Sequence, residues 1–248
     1  MKIFDAHFHI INFDFPIFEN QGFTPEEYNV ADYKSATSLY ELVGGAVVSG
    51  SFQKYDQDYL IDALPKLGKS YVGVANIPID LKHSELEYLN DHNIVAVRFN
   101  LKRGGSEVLK NLEYLSNKLY EEFGWHTELY VDSGKLEDLD GVLRKLKKFS
   151  IDHIGLSKGG LKSLYAWADK GVKIKATGFG RVDFDPIPVL QKIHHINSSA
   201  LMFGTDLPST RATVPFSHSH VELIVENFDK ASQEKIFYKN ALSWYMKK

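Results

Sequence analysis

The segment FDAHFH at Phe4–His9 decides the fold, because its polar and apolar residues alternate with a period of two. Side chains alternate between the two faces of a β-strand, so we expect Asp5, His7 and His9 on one face and the phenylalanines on the other. Helices would cover the apolar face, while the opposite face would carry polar side chains in place of the apolar side chains of a packed core. This pattern is typical of the first strand of an α/β barrel whose interior holds a reactive site.

Seven more short apolar segments with strand character follow along the chain. The intervals between them show apolar residues at three- and four-residue spacing, as in Val108–Leu119 and Leu136–Leu146, which is typical of helices. The eight predicted strands are Lys2–His9, Gly45–Ser51, Ser70–Pro78, Ile94–Asn100, Trp125–Val131, Ile151–Leu156, Val172–Gly178 and Ala200–Asp206.

Eight strands that alternate with helices over residues 1–248 predict a protein of the α/β class, a single-domain (β/α)8 TIM barrel. The competing architecture is a doubly wound open sheet, which usually carries a glycine-rich phosphate turn after an early strand. This chain has no such turn. The stretch Ile11–Val30 lacks clear periodicity and is rich in aromatic residues, so we expect a loop over the mouth of the barrel, with a lid as one role open to it.

Composition excludes several classes of function. The net charge of -3 and the lack of a long basic run argue against a nucleic-acid partner. The absence of cysteine excludes disulfides, thiolate metal sites and a cysteine nucleophile. No apolar run approaches membrane-spanning length and no signal peptide is visible, so we expect a cytoplasmic protein without a membrane partner. Aromatic residues in Ile11–Val30 leave a homodimer open.

Polar residues stand near the carboxyl ends of the predicted strands, where barrels of this kind carry their function. Imidazole, carboxylate and guanidinium groups that converge on one mouth suit the hydrolysis of a small anionic substrate. The candidate catalytic residues are His7, His9, His153 and Asp206. The candidate substrate-binding residues are Ser51, Arg98, Arg103, Tyr130 and Arg181.

Each candidate also has a structural interpretation. Arg98 and Lys175 would pair with buried carboxylates, and Tyr130 would be a core aromatic with a satisfied hydroxyl. His153 precedes an Ile-Gly pair and would be a turn residue, while Asp206 would cap the segment that follows it. The conjunction of polar groups at successive strand ends favours the functional interpretation over any of these taken singly.

Three motifs resemble those of the amidohydrolase superfamily, in particular its amidohydrolase-related group of metal-dependent TIM-barrel hydrolases. Phe4–His9 matches the opening motif of that group, Asp152–Gly155 matches its sixth-strand motif, and Phe203–Asp206 matches its eighth-strand motif. The resemblance covers essentially the whole chain. It implies a barrel fold and a hydrolase that carries its reactive groups at these three strand ends.

The chain is most similar to the lactonase branch of the superfamily, which includes 2-pyrone-4,6-dicarboxylate lactonase and sugar lactonases. Four segments carry this resemblance: Ser49–Phe52, Val97–Asn100, Gly124–Tyr130 and Asn240–Tyr245. One departure is Glu128, because relatives tend to have an uncharged residue there. The resemblance implies the opening of a carboxylated or sugar-acid lactone.

The metal content stays open at this stage. Zinc-rich members of the superfamily place a bridging lysine on the fourth strand and a histidine at the end of the fifth, where this chain has Arg98 and Tyr130. These differences argue against a two-metal site. His7, His9 and Asp206 can hold one divalent ion, with zinc as the expected metal, while metal-free catalysis is the alternative implied by the pyrone-lactonase resemblance.

The working hypothesis is a lactonase in which Asp206 is the general base and the three histidines polarise the carbonyl. Arg98, with Arg103 or Arg181, would bind a substrate carboxylate, and Ser51 and Tyr130 would add donors. Two rivals remain open. One is a non-oxidative decarboxylase of the same superfamily with a single metal, and the other is a barrel that binds a metabolite without catalysis.

Overall fold

The computed structural model describes residues 1–246, in which eight parallel strands pair in chain order from β1 to β8. Backbone hydrogen bonds from Asp206 N to His7 O (2.7 Å) and from His9 N to Leu207 O (2.8 Å) join the end of β8 to β1. The sheet therefore forms a nearly closed barrel, and the predicted (β/α)8 architecture is confirmed. The strands are β1 Lys2–Phe8, β2 Glu41–Val48, β3 Tyr71–Ala75, β4 Ile94–Asn100, β5 His126–Tyr130, β6 Phe149–Ile151, β7 Lys173–Ala176 and β8 Leu201–Phe203.

Helices connect the successive strands and surround the barrel. The last three helices follow β8, and a π-helical segment, Lys235–Lys239, joins the second of them to the third. None of the helices within residues 1–246 has the length and apolar character needed to cross a membrane. The helices are α1 Val30–Ala36, α2 Asp58–Leu67, α3 His83–Asp91, α4 Leu112–Phe123, α5 Asp140–Leu143, α6 Leu161–Asp169, α7 Pro186–Ile196, α8 His218–Asn227, α9 Lys230–Glu234 and α10 Asn240–Tyr245.

A bulge in β1 changes which residues share a face. Between Asp5 and Phe8, β1 advances three residues while β2 advances two, from Gly45 to Val47. A bulge adds one residue to a strand and so shifts its alternation. Phe4 and Ala6 accordingly pack in an inner cluster with apolar residues of β2, β3, β4 and β8, whereas Phe8 stacks on a tyrosine of α1.

The prediction that Asp5 shares a face with His7 and His9 is therefore wrong. The Asp5 carboxylate accepts hydrogen bonds from the Tyr33 hydroxyl (3.1 Å), the Thr205 amide (2.8 Å) and the Thr205 hydroxyl (2.7 Å). It ties β1 to α1 and to the turn that follows β8. Asp5 thus fixes the position of β1 through these hydrogen bonds, while His7 and His9 face the interior of the barrel.

Two strands that contribute to the site differ from their predicted bounds. β6 is Phe149–Ile151 and overlaps the predicted Ile151–Leu156 only at Ile151, while β8 is shorter than predicted and ends at Phe203. The backbone turns sharply just beyond each of these strands. The predicted helix over Leu136–Leu146 is also largely absent, and only Asp140–Leu143 is α-helical. Gly141 lies inside that segment, and glycine weakens a helix by about 1 kcal/mol relative to alanine.

Residues 12–29 form a loop over the barrel mouth, as predicted. Isolated bridges between Ile11 and Tyr28 and between Asn20 and Phe23 give the loop its shape. Arg211 lies in the segment after β8, and its guanidinium donates to the backbone oxygen of Asn20. The Asn20 side chain in turn donates to Arg103 O (3.3 Å). The loop is thereby attached to residues that line the mouth.

Candidate active site

The four predicted catalytic side chains meet at the carboxyl end of the barrel. The Asp206 Oδ1 atom lies 4.0 Å from the Nε2 atoms of His7, His9 and His153. All four residues are at least 96% buried. Asp206 Oδ1 and His7 Nε2 have no hydrogen-bond partner in the protein. Unsatisfied buried polar atoms are rare in proteins, so this cluster leaves donor and acceptor capacity free for a ligand.

Unusual backbone conformations turn two of these side chains inward. His153 (φ 51°) and Asp206 (φ 61°) lie in the left-handed region, which is sparsely populated by residues other than glycine. Gly178, also left-handed, follows β7, and a Cβ there would lie 2.6 Å from the His153 imidazole. Close packing thus holds His153 in place. Strain of this kind concentrates at functional sites, where the surrounding structure maintains it.

The three imidazoles are neutral at ordinary pH. Burial lowers the pKa of His9 to about 3, and the nearby Arg98 contributes to the same shift. Burial also lowers the pKa values of His7 and His153 well below their usual range. His9 donates its Nδ1–H to Val48 O (2.6 Å), so its Nε2 atom carries a lone pair that faces the cluster.

Asp206 is paired on its other side. Its Oδ2 atom accepts a hydrogen bond from Arg181 Nε (2.5 Å), and Arg181 also donates to Thr210 O (2.8 Å). Burial raises the pKa of the Asp206 carboxyl, and Arg181 partly offsets that rise. The arginine therefore orients the carboxylate and favours its ionised form, while Oδ1 stays free.

A buried ionic network lies beneath the histidines. Arg98 donates to Asp152 Oδ2 from Nη2 (3.0 Å) and Nε (3.3 Å), and to Ser49 O from Nη1 (2.7 Å). Burial favours the neutral form of Asp152, but the charges of Lys175 and Arg98 outweigh it and lower the pKa of this carboxyl. Most of the Arg98 guanidinium is thus occupied by the barrel itself, as in the structural interpretation of this residue.

The mouth above the cluster is narrow and basic. A cavity of about 30 Å3 is left there, which is room for only one or two water molecules. Tyr130 is buried beside it, with its hydroxyl 3.4 Å from Arg103 Nε. Among residues 1–246, no acidic side chain lines this cavity. The predicted residues Ser51, Arg98, Arg103 and Arg181 line it, together with His9, Gly50, Phe52, Asn100, His153, Thr210 and Arg211.

His7, His9 and Asp206 also place ligand atoms within 4.8 Å of one another, as a metal site would require. The free Nε2 of His9 and the free Oδ1 of Asp206 suit a divalent ion. His7 does not suit a divalent ion, because the positively charged Lys175 ammonium already lies 3.2 Å from its Nδ1 atom. Arg181 adds a second cation on Asp206. The donor set therefore fits a divalent ion poorly.

Three residues of the site were not among the predicted ones. Asp152 and Lys175 complete the network beneath the histidines, and Arg211 joins the mouth to the loop above it. Asp152 and Lys175 both carry a signal in the sequence, because Asp152 adjoins His153 and Lys175 is a polar residue on the seventh strand, where the sequence leaves a functional group and a buried ion-pair partner equally open. Arg211 follows a turn and belongs to no periodic pattern, so the sequence offers no signal for it.

Imidazoles, a carboxylate and guanidinium groups at the strand ends of a barrel are an arrangement that suits hydrolysis. A family model described as Amidohydrolase matches residues 4–246. The chain therefore belongs to the amidohydrolase family, as the resemblance of its motifs predicts.

Two curated relatives are lactone hydrolases by name. The 2-pyrone-4,6-dicarboxylate hydrolase of Comamonas testosteroni is 26% identical over 61% of this chain and 51% of its own length. The 4-sulfomuconolactone hydrolase of Rhizobium radiobacter is 24% identical over 82% of this chain and 75% of its own. The chain thus spans about half the length of the first relative and three quarters of the second.

Solved structures share the fold. An apo protein of Agrobacterium tumefaciens superimposes with a TM-score of 0.86 at 17% identity, over 99% of this chain and 96% of its own. A probable 2-pyrone-4,6-dicarboxylic acid hydrolase of Acinetobacter baumannii, with citric acid bound, gives 0.84 at 21% identity, over 99% of both chains. At these identities the likeness shows the fold alone.

Proposed function

We propose that the protein hydrolyses the ring ester of a carboxylated lactone, with Asp206 as the general base. The observation that carries this proposal is the free Asp206 Oδ1 atom, 4.0 Å from three imidazole nitrogens. A gap of that size accommodates a water molecule or a carbonyl oxygen in hydrogen-bond contact with several of these atoms. The carboxylate, aided by Arg181, is available to accept a proton.

The reaction follows from the arrangement. Asp206 Oδ1 accepts a proton from water while the water oxygen attacks the ring carbonyl carbon. Hydrogen bonds from His7, and from His153, stabilise the negative charge that develops on the carbonyl oxygen. One such oriented donor contributes about 10²- to 10³-fold to the rate. The carbon–oxygen bond of the ring then breaks, and the departing oxygen takes the proton from Asp206.

The basic mouth supports an anionic substrate. Arg103, Arg181 and Arg211 line the cavity above the cluster, and guanidinium groups bind carboxylates through paired hydrogen bonds. The two curated relatives are named for lactones that carry carboxylate or sulfonate groups. The present cavity is far smaller than a typical ligand site of about 300 Å3 or more, so the side chains that line it must rearrange when substrate enters.

A panel of lactones tests this function. Acid release would be followed at constant pH for 2-pyrone-4,6-dicarboxylate, for a sugar-acid lactone, and for neutral lactones of matched ring size. We expect turnover of the carboxylated compounds, with kcat/KM reduced for the neutral ones because the arginines then have no partner. A protein that opens none of these rings is not a lactonase, and the metabolite-binding barrel would take its place.

Catalysis is expected to need no metal, because Lys175 and Arg181 place positive charge beside His7 and Asp206. Elemental analysis of the purified protein should find less than stoichiometric zinc, and prolonged chelation should leave kcat unchanged. A loss of activity on chelation that added zinc restores would contradict this prediction. Release of carbon dioxide from the substrates would then favour the mononuclear decarboxylase.

Replacement of Arg181 by methionine is expected to move the pH profile. Burial raises the pKa of Asp206 and Arg181 lowers it, so this pKa rises further when the guanidinium is lost. A general base acts in its ionised form, so activity is present above its pKa and disappears as the pH falls through it. The acid limb of kcat/KM should therefore shift to higher pH in Arg181→Met, and less in Arg181→Lys, which keeps the charge. An acid limb that stays in place would show that Arg181 does not act on Asp206.

A further inference from the structure

Lys175 is a fully buried cation at the centre of the barrel, directly below the histidines. It lies on β7 and contacts three groups, from β1, from β5 and from the turn after β6. Its ammonium donates to the Glu128 carboxylate, lies 3.2 Å from His7 Nδ1, and lies 3.6 Å from Asp152 Oδ1. A buried charge is costly unless it is paired, so these contacts fix the ammonium in position.

The Glu128 carboxylate fixes the position of the Lys175 ammonium. Its Oε1 atom accepts hydrogen bonds from the Tyr245 hydroxyl (2.5 Å) of α10 and from His126 Nε2 (3.2 Å), while Oε2 accepts from Lys175. Burial raises the pKa of this carboxyl, but Lys175 and His126 together outweigh burial, and the pKa is lowered. The carboxylate is therefore ionised and anchored to β5 and α10, and its position sets that of the ammonium.

In the contact between Lys175 and His7, only Lys175 can donate the hydrogen bond. An ammonium has three N–H donors and no lone pair, so His7 Nδ1 must accept. In a neutral imidazole whose Nδ1 accepts, the proton is on Nε2. Asp152 Oδ1 would favour the opposite tautomer, but it is farther from Nδ1 than Lys175 is, at 3.6 Å.

We propose that Lys175, anchored by Glu128, is a positioning residue that fixes His7 as its Nε2–H tautomer. His7 then donates a hydrogen bond into the cluster and offers no lone pair there to a divalent cation. Donation to the lactone carbonyl rests on the proposed function, whereas the tautomer does not. His9 has the opposite tautomer, because its Nδ1–H donates to Val48 O. The His-x-His pair thus presents one donor and one acceptor to the same space.

Nuclear magnetic resonance of protein labelled with 15N-histidine tests the tautomers without turnover. The His7 and His9 signals would be assigned by their loss in His7→Asn and His9→Asn. In the wild type we expect the proton of His7 on Nε2 and that of His9 on Nδ1. A His7 ring protonated on Nδ1 would overturn the proposal. So would Co²⁺ binding to the wild type, seen by visible absorbance, that His7→Asn abolishes.

The double variant Lys175→Met/Glu128→Gln removes both charges of the pair at once, so neither is left unpaired. In folded protein we expect the His7 proton to move toward Nδ1, facing Asp152, and kcat to fall about 10²-fold with little change in KM. Lys173→Met, on the same strand but outside this network, should change neither. An unchanged His7 tautomer in the folded double variant would overturn the proposal. A wild type with the expected tautomers but no lactonase activity would support the positioning role and remove only the proposed function.

Discussion

Replacement of Asp206 by asparagine is expected to lower kcat about 10³-fold and to leave the fold intact, since a general base contributes 10²- to 10⁴-fold to the rate. Asparagine has nearly the same shape but cannot accept the proton of the attacking water. Arg181 and the turn after β8 keep their other partners, because Arg181 also donates to Thr210 O and Thr205 stays bonded to Asp5. We therefore expect a loss of chemistry and not of structure.

The measurement is kcat/KM on a carboxylated lactone, with circular dichroism and thermal unfolding to check the fold. Asp138→Asn is a matched control, because Asp138 is an exposed aspartate in a surface pair with Lys135. Asp138→Asn should keep wild-type kinetics. A folded Asp206→Asn protein with more than about one tenth of the wild-type kcat/KM would remove Asp206 from the role of general base.

Replacement of Arg98 by methionine is expected to destabilise the fold by about 3 kcal/mol, the lower end of the range for breaking a buried ion pair. Arg98 and Asp152 are buried, and three hydrogen bonds fix the guanidinium between Asp152 and Ser49 O. Removal of the arginine leaves a buried carboxylate that only Lys175 still balances. This remaining partner is the reason for choosing the lower end of the range.

Urea unfolding of Arg98→Met, Asp152→Asn and the double variant measures this effect. The double variant should recover part of the loss, because neither charge is then left without its partner. Arg144→Met is the surface control. Arg144 pairs with Asp140 on the outside of the barrel, where solvent screens the pair, so we expect little change. A loss of less than about 1 kcal/mol in Arg98→Met would show that the network does not stabilise the barrel.

The strand order and the clustering of His7, His9, His153 and Asp206 could be predicted from the sequence, because both follow from local patterns. Alternation within Phe4–His9 marks β1, and the polar residues His153 and Asp206 stand out where apolar segments end. The bulge in β1 could not be predicted, because it depends on pairing with β2. The left-handed turns that end β6 and β8 early depend in turn on packing against β7 and β1.

The ionic network under the site could not be predicted either, because it also depends on contacts between distant segments. Glu128, Lys175 and Asp152 meet because β5, β7 and the turn after β6 close on one another around the barrel. No single segment encodes that meeting. A charged residue within a barrel strand, Glu128, is a signal in the sequence, but its partner could be identified only in three dimensions.

The most direct test is a crystal structure of Asp206→Asn with 2-pyrone-4,6-dicarboxylate bound. We predict that the ring carbonyl oxygen lies within about 3 Å of His7 Nε2, that a water molecule lies between the carbonyl carbon and residue 206, and that a carboxylate contacts the mouth arginines. A lactone bound with its carbonyl away from the imidazoles, or outside the barrel mouth, would contradict the account.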